Sequence, residues 1–249
     1  MKENITMELK NKTALITGGA IRLGRAICLD LARAGTNIFC QYFSSDEAAG
    51  SLVEEVQNIG GKIKTFKIDL TDEGAIHTTS DEAINTFGRI DILVNNSALF
   101  YPTPVGKITE KDWNTFHELN LKAAFFLSQE VGMLMKKQGY GRIVSIGDIS
   151  FESPWPNFLP YTLTKAGINT MTKGLAKALS PEVLVNCVNP GPVLLPDDFN
   201  QEQIDKALER TLLKKEGSAD DIAKTVRFLI ESDYITGASI PVDGGRHIG

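Results

Sequence analysis

Lys12-Thr13-Ala14-Leu15-Ile16-Thr17-Gly18-Gly19-Ala20-Ile21-Arg22-Leu23-Gly24 is the stretch on which the fold turns. Its first half is a short apolar run that reads as a buried strand. Its second half opens an amphipathic helical pattern that continues through Ala34. Glycines at a strand-to-helix turn let backbone lie close to a pyrophosphate, and the unpaired amides at the helix start supply donors and positive potential. The alternative is a tight turn that needs glycine for its backbone angles and nothing more. Arg22 stands where a dinucleotide-binding loop would carry its central glycine, and it brings a cation to the same place.

Working outward, the alternation of strand and helix repeats along the chain. Residues 12–17, 37–42, 62–68, 91–95, 142–146, 184–188 and 239–242 read as strands, with helical patterns between them. Such alternation predicts an α/β fold with a parallel, doubly wound sheet of seven strands covered by helices on both faces. Two helix starts are marked by a hydroxyl answered by an acid three residues later, Thr109 with Asp112 and Ser218 with Asp221. A long helical pattern covers residues 109–137. No repeat, low-complexity run or linker divides the chain, so one domain over residues 1–249 is expected, with residues 1–10 as an N-terminal extension. Sheets of this kind bind ligands at the carboxyl ends of their strands, where strand order reverses.

Composition narrows the partners. The 249 residues are 42% hydrophobic with a net charge of only -5, and the basic residues are dispersed, so no stripe points to nucleic acid. The longest apolar stretches are strand-sized and the first residues lack the apolar region of a signal peptide, so neither a membrane span nor export is expected. Cys28, Cys40 and Cys187 are few and far apart, which fits buried thiols in a reducing cytoplasm better than a disulfide framework. His77, His117 and His247 are equally scattered, and no metal site is expected.

The chemistry concentrates at strand ends. Residues 141–147 read as a buried strand that delivers Asp148, and a loop with Phe151, Trp155 and Phe158 follows. Pro160 then opens a helix in which Tyr161 and Lys165, four apart, share a face. An ammonium beside a phenol favours phenolate and eases release of the proton. At the end of the second strand Gln41, Tyr42, Phe43, Ser44 and Ser45 offer no carboxylate before Asp46. An acid there would meet a free ribose 2'-hydroxyl and repel a 2'-phosphate, so its absence favours NADPH, with Arg22, Ser44 and Ser45 as donors. Ser44 could instead serve only to cap the next helix.

Asp69, at the end of the third strand, is placed to accept from an adenine amino group or to make a turn. Asn95, Asn96, Ser97 and Ala98 close the fourth strand with short side chains that let backbone lie against a nucleotide. The Pro-stiffened loop of residues 99–104 presents Phe100, on which a flat substrate could stack, unless the ring is an ordinary loop anchor. Asn120 interrupts the long helical pattern, where a buried amide would hold a water or a bent carbonyl. The small residues after Lys165, among them Gly167, Thr172, Gly174 and Ala176, invite close approach by another helix.

Together these residues resemble the short-chain dehydrogenase/reductase family over essentially the whole chain. Residues 17–24, Asp69, residues 95–98, Asn120, Tyr161 with Lys165, Asn189-Pro190-Gly191 and Val242-Asp243-Gly244-Gly245 carry the resemblance. It implies a Rossmann-type fold. It also implies cofactor contacts from Gly18, Leu23, Gly24, Leu70, Asn96, Ser97, Ala98, Pro190 and Gly191. Tyr161 would donate the proton, Lys165 would lower the phenol's pKa and hold the nicotinamide ribose, and Asn120 would support a proton relay. Family interfaces map to the helix after Lys165 and to residues 234–242, implying a homotetramer.

The family's usual serine thirteen residues before the tyrosine is here Asp148. With Arg22 and residues 100–104, this resembles the pteridine reductases, in which such an Asp and Tyr assist protonation of a pterin held by the loop Phe. Carried over, substrate contacts fall on Arg22, Phe100, Asp148, Phe158 and Tyr161. Ala98 and residues 41–45 depart from that branch, which has a serine at the first position and basic residues in the second. An ionised carboxylate only accepts hydrogen bonds and opposes the charge that develops on a reduced ketone. It suits a heterocycle with N–H donors, whereas a protonated Asp148 would restore a carbonyl substrate. The leading expectation is therefore an NADPH-dependent pterin reductase. A carbonyl reductase is the runner-up, and a non-catalytic NADP-binding sensor stands third.

Overall fold

The structure is a computed structural model describing residues 8–195 and 200–249. Seven strands, β1 (Thr13–Thr17), β2 (Asn37–Tyr42), β3 (Ile63–Lys67), β4 (Ile92–Asn95), β5 (Gly141–Ile146), β6 (Val183–Pro190) and β7 (Ser239–Val242), form one sheet. Their order is β3-β2-β1-β4-β5-β6-β7. Every pairing is parallel. The strand order reverses between β1 and β4, which opens a crevice above their carboxyl ends.

The central strands β1, β4 and β5 are buried along their whole length because both faces are covered, whereas the edge strand β3 carries exposed lysines. On β1, Ala14 and Ile16 join one core while Leu15 joins the other, and on β2 Ile38 and Cys40 oppose Phe39 in the same way. The first core is closed by α1 (Arg22–Arg33), α2 (Asp46–Asn58) and α8 (Ala219–Glu231). The second is closed by α3 (Ala75–Phe87), α5 (Ala124–Gln138) and α6 (Leu159–Leu179). The three cysteines are buried and free.

The strand boundaries match the sequence reading or move by one residue, except that β6 runs two residues further, to Pro190. That end pairs with the edge strand β7, where Pro241 needs no ladder donor. The helical pattern over residues 109–137 is three pieces, α4 (Glu110–Phe116), a π-helical segment (His117–Ala123) and α5. Thr109 and Asp112 form the expected capping box, as do Ser218 and Asp221. A further helix, α7 (Gln201–Leu208), starts at a capping box of Asn200 and Gln203.

Of the expected extension, residues 1–7 lie outside the described residues. Leu9 belongs to the core, and its carbonyl accepts from Lys12 N and Thr36 Oγ1. Among the described residues no helix is long and apolar enough to cross a membrane.

Candidate active site

A cavity of about 1090 Å³ follows the crevice over the carboxyl ends of the strands. At its centre is the glycine loop. Gly18 takes a left-handed backbone with φ of +60°, and a Cβ on Gly24 would lie 2.2 Å from Gly18 O, so the first turn of α1 packs against backbone that leaves no room for a side chain. Asn96 Nδ2 donates to Thr17 O and Gly18 O, and Thr17 Oγ1 accepts from the amides of Asn96 and Ser97. The end of β4 therefore holds the loop as well as lining the cavity. Arg22, itself left-handed with φ of 51°, reaches across the crevice and donates to Leu194 O.

Tyr42, Ser44, Ser45, Asp69 and Leu70 line one end of the cavity. The side chain at the start of α2 is Ser45, and it makes no capping bond, so the helix-cap alternative for Ser44 is not realised. Asp69 Oδ1 accepts from Thr71 N at 2.9 Å and Thr71 Oγ1 at 2.7 Å, which is the turn role, on the cavity wall. Sequence reasoning missed Lys67, which the sheet register sets beside Tyr42. Its Nζ lies 2.6 Å from Asp46 Oδ2, and Asp46 also accepts from the Tyr42 hydroxyl.

Pro190 and Gly191 line the other end, with Tyr161 and Lys165 from α6 and Asp148 from beyond β5. Tyr161 Oη donates to Asp148 Oδ2 at 2.8 Å. The other carboxylate oxygen caps a short 3-10 turn through Ser150 N. Burial pushes the Asp148 carboxyl above the ordinary carboxylate range. Burial also drives the Tyr161 phenol well above its usual value, and the charge of Asp148 adds to that effect.

This corrects the expected effect of Lys165. The ammonium donates to Ile146 O at 2.8 Å, lies 5.6 Å from the Tyr161 ring centroid, and is itself pushed down by burial. The phenol's bonded neighbour is a carboxylate, so its proton is held more firmly, not less.

Asn120 is buried and holds a backbone carbonyl, one of the two roles expected of it. The π-helical turn brings its amide onto the end of β4, where Oδ1 accepts from Leu99 N at 2.8 Å and Nδ2 donates to Leu99 O at 2.9 Å. Both ends of the amide are spent on this backbone clamp, and Asn120 does not line the cavity.

The aromatic residues converge. Phe100, half exposed, stacks on Phe158 with centroids 4.7 Å apart and planes within 3°, and meets Tyr161 edge-on at 4.9 Å. Trp155 abuts both phenylalanines, whereas Phe151 lies off the cavity. Tyr101 anchors the loop, stacked on Phe116 with its hydroxyl on Asp112.

Sequence reasoning also missed Arg246. Its C-terminal turn brings it to the cavity wall, where it donates to Ala207 O and lies within electrostatic reach of Asp148. Away from the crevice, His77 meets Asp81 through one ring nitrogen and Glu130 through the other, a grouping the scattered histidines did not foretell.

The donor set fits a dinucleotide. Free amides at the start of α1 and the Arg22 guanidinium suit phosphates, and the polar group of Tyr161 and Lys165 lies at the far end of one continuous crevice.

A family profile described as Enoyl-(Acyl carrier protein) reductase matches residues 19–247. A 3-oxoacyl-acyl-carrier-protein reductase of Thermotoga maritima is 33% identical over 244 residues, covering 96% of this chain and 99% of its own. The same enzyme from Staphylococcus epidermidis is 32% identical over 243 residues, covering 96% and 100%. Among solved structures, a short-chain dehydrogenase/reductase of Serratia marcescens matches with a TM-score of 0.90 and 31% identity, covering 97% of this chain and 100% of the other. A blue fluorescent protein from a metagenomic library, in complex with NADPH, matches with a TM-score of 0.89 and 32% identity, covering 96% and 99%.

Proposed function

The chain belongs to the short-chain dehydrogenase/reductase family, and from that premise we propose an NADPH-dependent reductase in which Tyr161 and Asp148 deliver the proton. The observation that carries the proposal is the buried 2.8 Å bond between Tyr161 and Asp148, set at one end of a crevice whose other parts suit a dinucleotide. Bound there, NADPH would supply a hydride from its dihydronicotinamide. Arg22 and the amides of α1 would hold its phosphates, and Lys165 its ribose. Ser44 and Ser45 line the end of the crevice that would take the adenosine ribose, where their hydroxyls would donate to a 2'-phosphate.

A carbonyl compound is the substrate class that the comparisons support best, since the relatives named above are 3-oxoacyl reductases. The site agrees with it on one point. Burial raises the proton affinity of Asp148, and a carboxylic acid donates a hydrogen bond to an oxygen gaining negative charge, as the family's serine would. Tyr161 would then give the proton to that oxygen, with Asp148 directing it.

A pterin is the second reading, and the aromatic arrangement favours it. Phe100 is half exposed, backed by Phe158 and edge-on to Tyr161, an aromatic surface that suits a planar heterocycle, and an ionised Asp148 would accept from ring N–H groups. The curated relatives back this reading less than the carbonyl one.

The same family resemblance supports a homotetramer. Trp113, Phe126, Met133 and Leu163 are exposed on α4, α5 and α6, and Phe228 and Tyr234 on the opposite side. Of the small residues of α6, Thr170, Gly174 and Ala178 are exposed, whereas Gly167 faces Leu121 of the same chain.

The test is NADPH oxidation measured against 3-oxoacyl thioesters, simple ketones, dihydropterins and dihydrofolate. Turnover of thioesters or ketones alone supports the carbonyl reading, and turnover of dihydropterins alone supports the second. Binding of NADPH with no oxidation across the panel overturns both and leaves a cofactor-binding sensor.

A further inference from the structure

Asn169 and Asn189 are both buried and outside the cavity lining. They come from different elements, Asn169 from α6, one turn beyond Lys165, and Asn189 from the end of β6. Their amides pair reciprocally. Asn169 Nδ2 donates to Asn189 Oδ1 at 3.2 Å and Asn189 Nδ2 donates to Asn169 Oδ1 at 3.0 Å. Each then carries a bond toward the reacting pair. Asn189 Oδ1 accepts from Asp148 N at 3.0 Å, and Asn169 Nδ2 donates to Lys165 O at 2.9 Å. Cys187 Sγ completes the set of donors around Asn189 Oδ1, at 3.4 Å.

The arrangement is specific to amides. Each asparagine must donate and accept at once, which neither a carboxylate nor a hydroxyl of similar size does with the same reach. Room for it has been made in the neighbouring chain, because a Cβ on Gly147 would lie 2.0 Å from Asn189 Oδ1. Gly147 N in turn donates to Val188 O at 2.8 Å, fixing the residue before Asp148 to the strand that carries Asn189. The turn that presents Asp148 is therefore bonded to β6 on both sides of Gly147. A buried polar network of this kind holds geometry firmly when every member is satisfied, and it gives way as a unit when one member is lost.

We propose that Asn169 and Asn189 are paired positioning residues that set Asp148 against Tyr161 and Lys165. They touch neither cavity nor reacting atoms. They act by fixing the backbone of the Asp148 turn on β6 and tying it to the helix that carries the other two groups. This rests on the reading of Tyr161 and Asp148 as the reacting pair.

The groups that face the Asp148 carboxyl are Tyr161 and Lys165 from α6 and Arg246 from the C-terminal turn, with the Cys187 thiol behind Lys165. Loss of the amide pair lets the turn relax, so the carboxyl titrates differently against these unchanged neighbours. Carboxyl carbon NMR of aspartate-labelled protein reads this without any turnover, with the Asp148 signal identified by its disappearance in Asp148→Asn.

Asn189→Ala and Asn169→Ala should each move the Asp148 midpoint by about half a pH unit or more, and the double variant should move it no further than the larger single. With an active substrate, kcat should fall by roughly tenfold to a hundredfold, the loss expected of a misplaced group, while KM for NADPH stays within about twofold. Asn189→Asp, which keeps the shape and the acceptor of Asp148 N and gives up the donor to Asn169, should shift the midpoint upward through its added negative charge.

An Asp148 midpoint unchanged in Asn189→Asp and in either alanine variant overturns the proposal, as does a uniform loss of thermal stability with kcat and midpoint intact. If no substrate in the panel is turned over, the functional reading fails while the titration still decides this one.

Discussion

Tyr161 Oη and Asp148 Oδ2 stand 2.8 Å apart, buried, with the phenol donating. A hydroxyl at this place would both accept from the tyrosine and donate to a substrate; an ionised carboxylate takes the phenol proton into a hydrogen bond and donates none. Burial raises both groups, so each holds its proton more firmly than it would in water. Lys165 sets the surrounding charge from its bond to Ile146 O instead of reaching the phenol oxygen.

Removing one member of the pair tests proton delivery. Tyr161→Phe deletes the donor and leaves a ring of the same shape against Phe100. Turnover should fall by roughly a hundredfold or more, the loss typical of general acid catalysis, with NADPH affinity within about twofold of the parent. Steady-state kinetics and fluorescence titration of NADPH read the two quantities. Retention of more than about a third of kcat would remove Tyr161 from the chemistry.

Asp148 should leave a signature in stability as well. Its folded pKa is raised, chiefly by burial, so the folded chain keeps the proton at pH values where the unfolded chain has lost it. The resulting stability is fully present below the unfolded value of about 3.9 and declines as pH rises through the raised folded value. Asp148→Asn has no proton to lose. Its stability relative to the parent should therefore climb with pH across that window and then level off, as measured by urea unfolding from about pH 4 to about pH 8. Parallel curves would mean that the carboxyl is not held up by burial.

Cofactor choice is the third test. No carboxylate of β2 faces the crevice, and Arg22, Ser44 and Ser45 line it. Catalytic efficiency should be higher with NADPH than with NADH, and Arg22→Gln should reduce efficiency with either by roughly tenfold, the scale of one charged hydrogen bond. Equal efficiency with the two cofactors in the parent enzyme would reject the preference.

The fold was legible because the central parallel strands, covered on both faces, are written as largely apolar runs, and because the glycine turn, the capping pairs and the Tyr161–Lys165 spacing are local patterns. What escaped the sequence was long-range. Lys67 meets Asp46 across the register of β2 and β3, Asn120 meets Leu99 through a π-helical turn, and Asn189 meets Asp148 across two strands. Arg246 reaches the cavity only because the chain's last turn folds back onto it. No spacing in the chain announces such contacts. The expected effect of Lys165 on the phenol failed for the same reason, since the choice between Tyr161 and Ile146 O as its partner is made by three-dimensional placement.

Substrate class is decided most sharply by comparing two variants. Asp148→Ser replaces the carboxylate with a hydroxyl that donates to a carbonyl oxygen as its charge develops, and it frees the Tyr161 proton from its present acceptor. If the substrate is a carbonyl compound, this variant should keep or raise turnover. If it is a pterin, the loss of an acceptor for ring N–H groups should depress turnover by roughly tenfold or more, the scale of one lost charged hydrogen bond. Phe100→Ala supplies the independent arm. The ring is half exposed and lies flat against Phe158, so a planar heterocycle would use its stacking surface while a flexible acyl chain would not. Removing it should weaken binding of a dihydropterin by about 1–3 kcal/mol, as for bases stacked on aromatic side chains, and leave a 3-oxoacyl substrate little changed. Should both variants reduce 3-oxoacyl thioesters as well as the parent does and fail on dihydropterins, the carbonyl reading stands for the native activity only if the parent prefers the thioester. A parent that prefers the dihydropterin, with both variants impaired on it, assigns Asp148 and Phe100 to a pterin site and rejects the carbonyl reading.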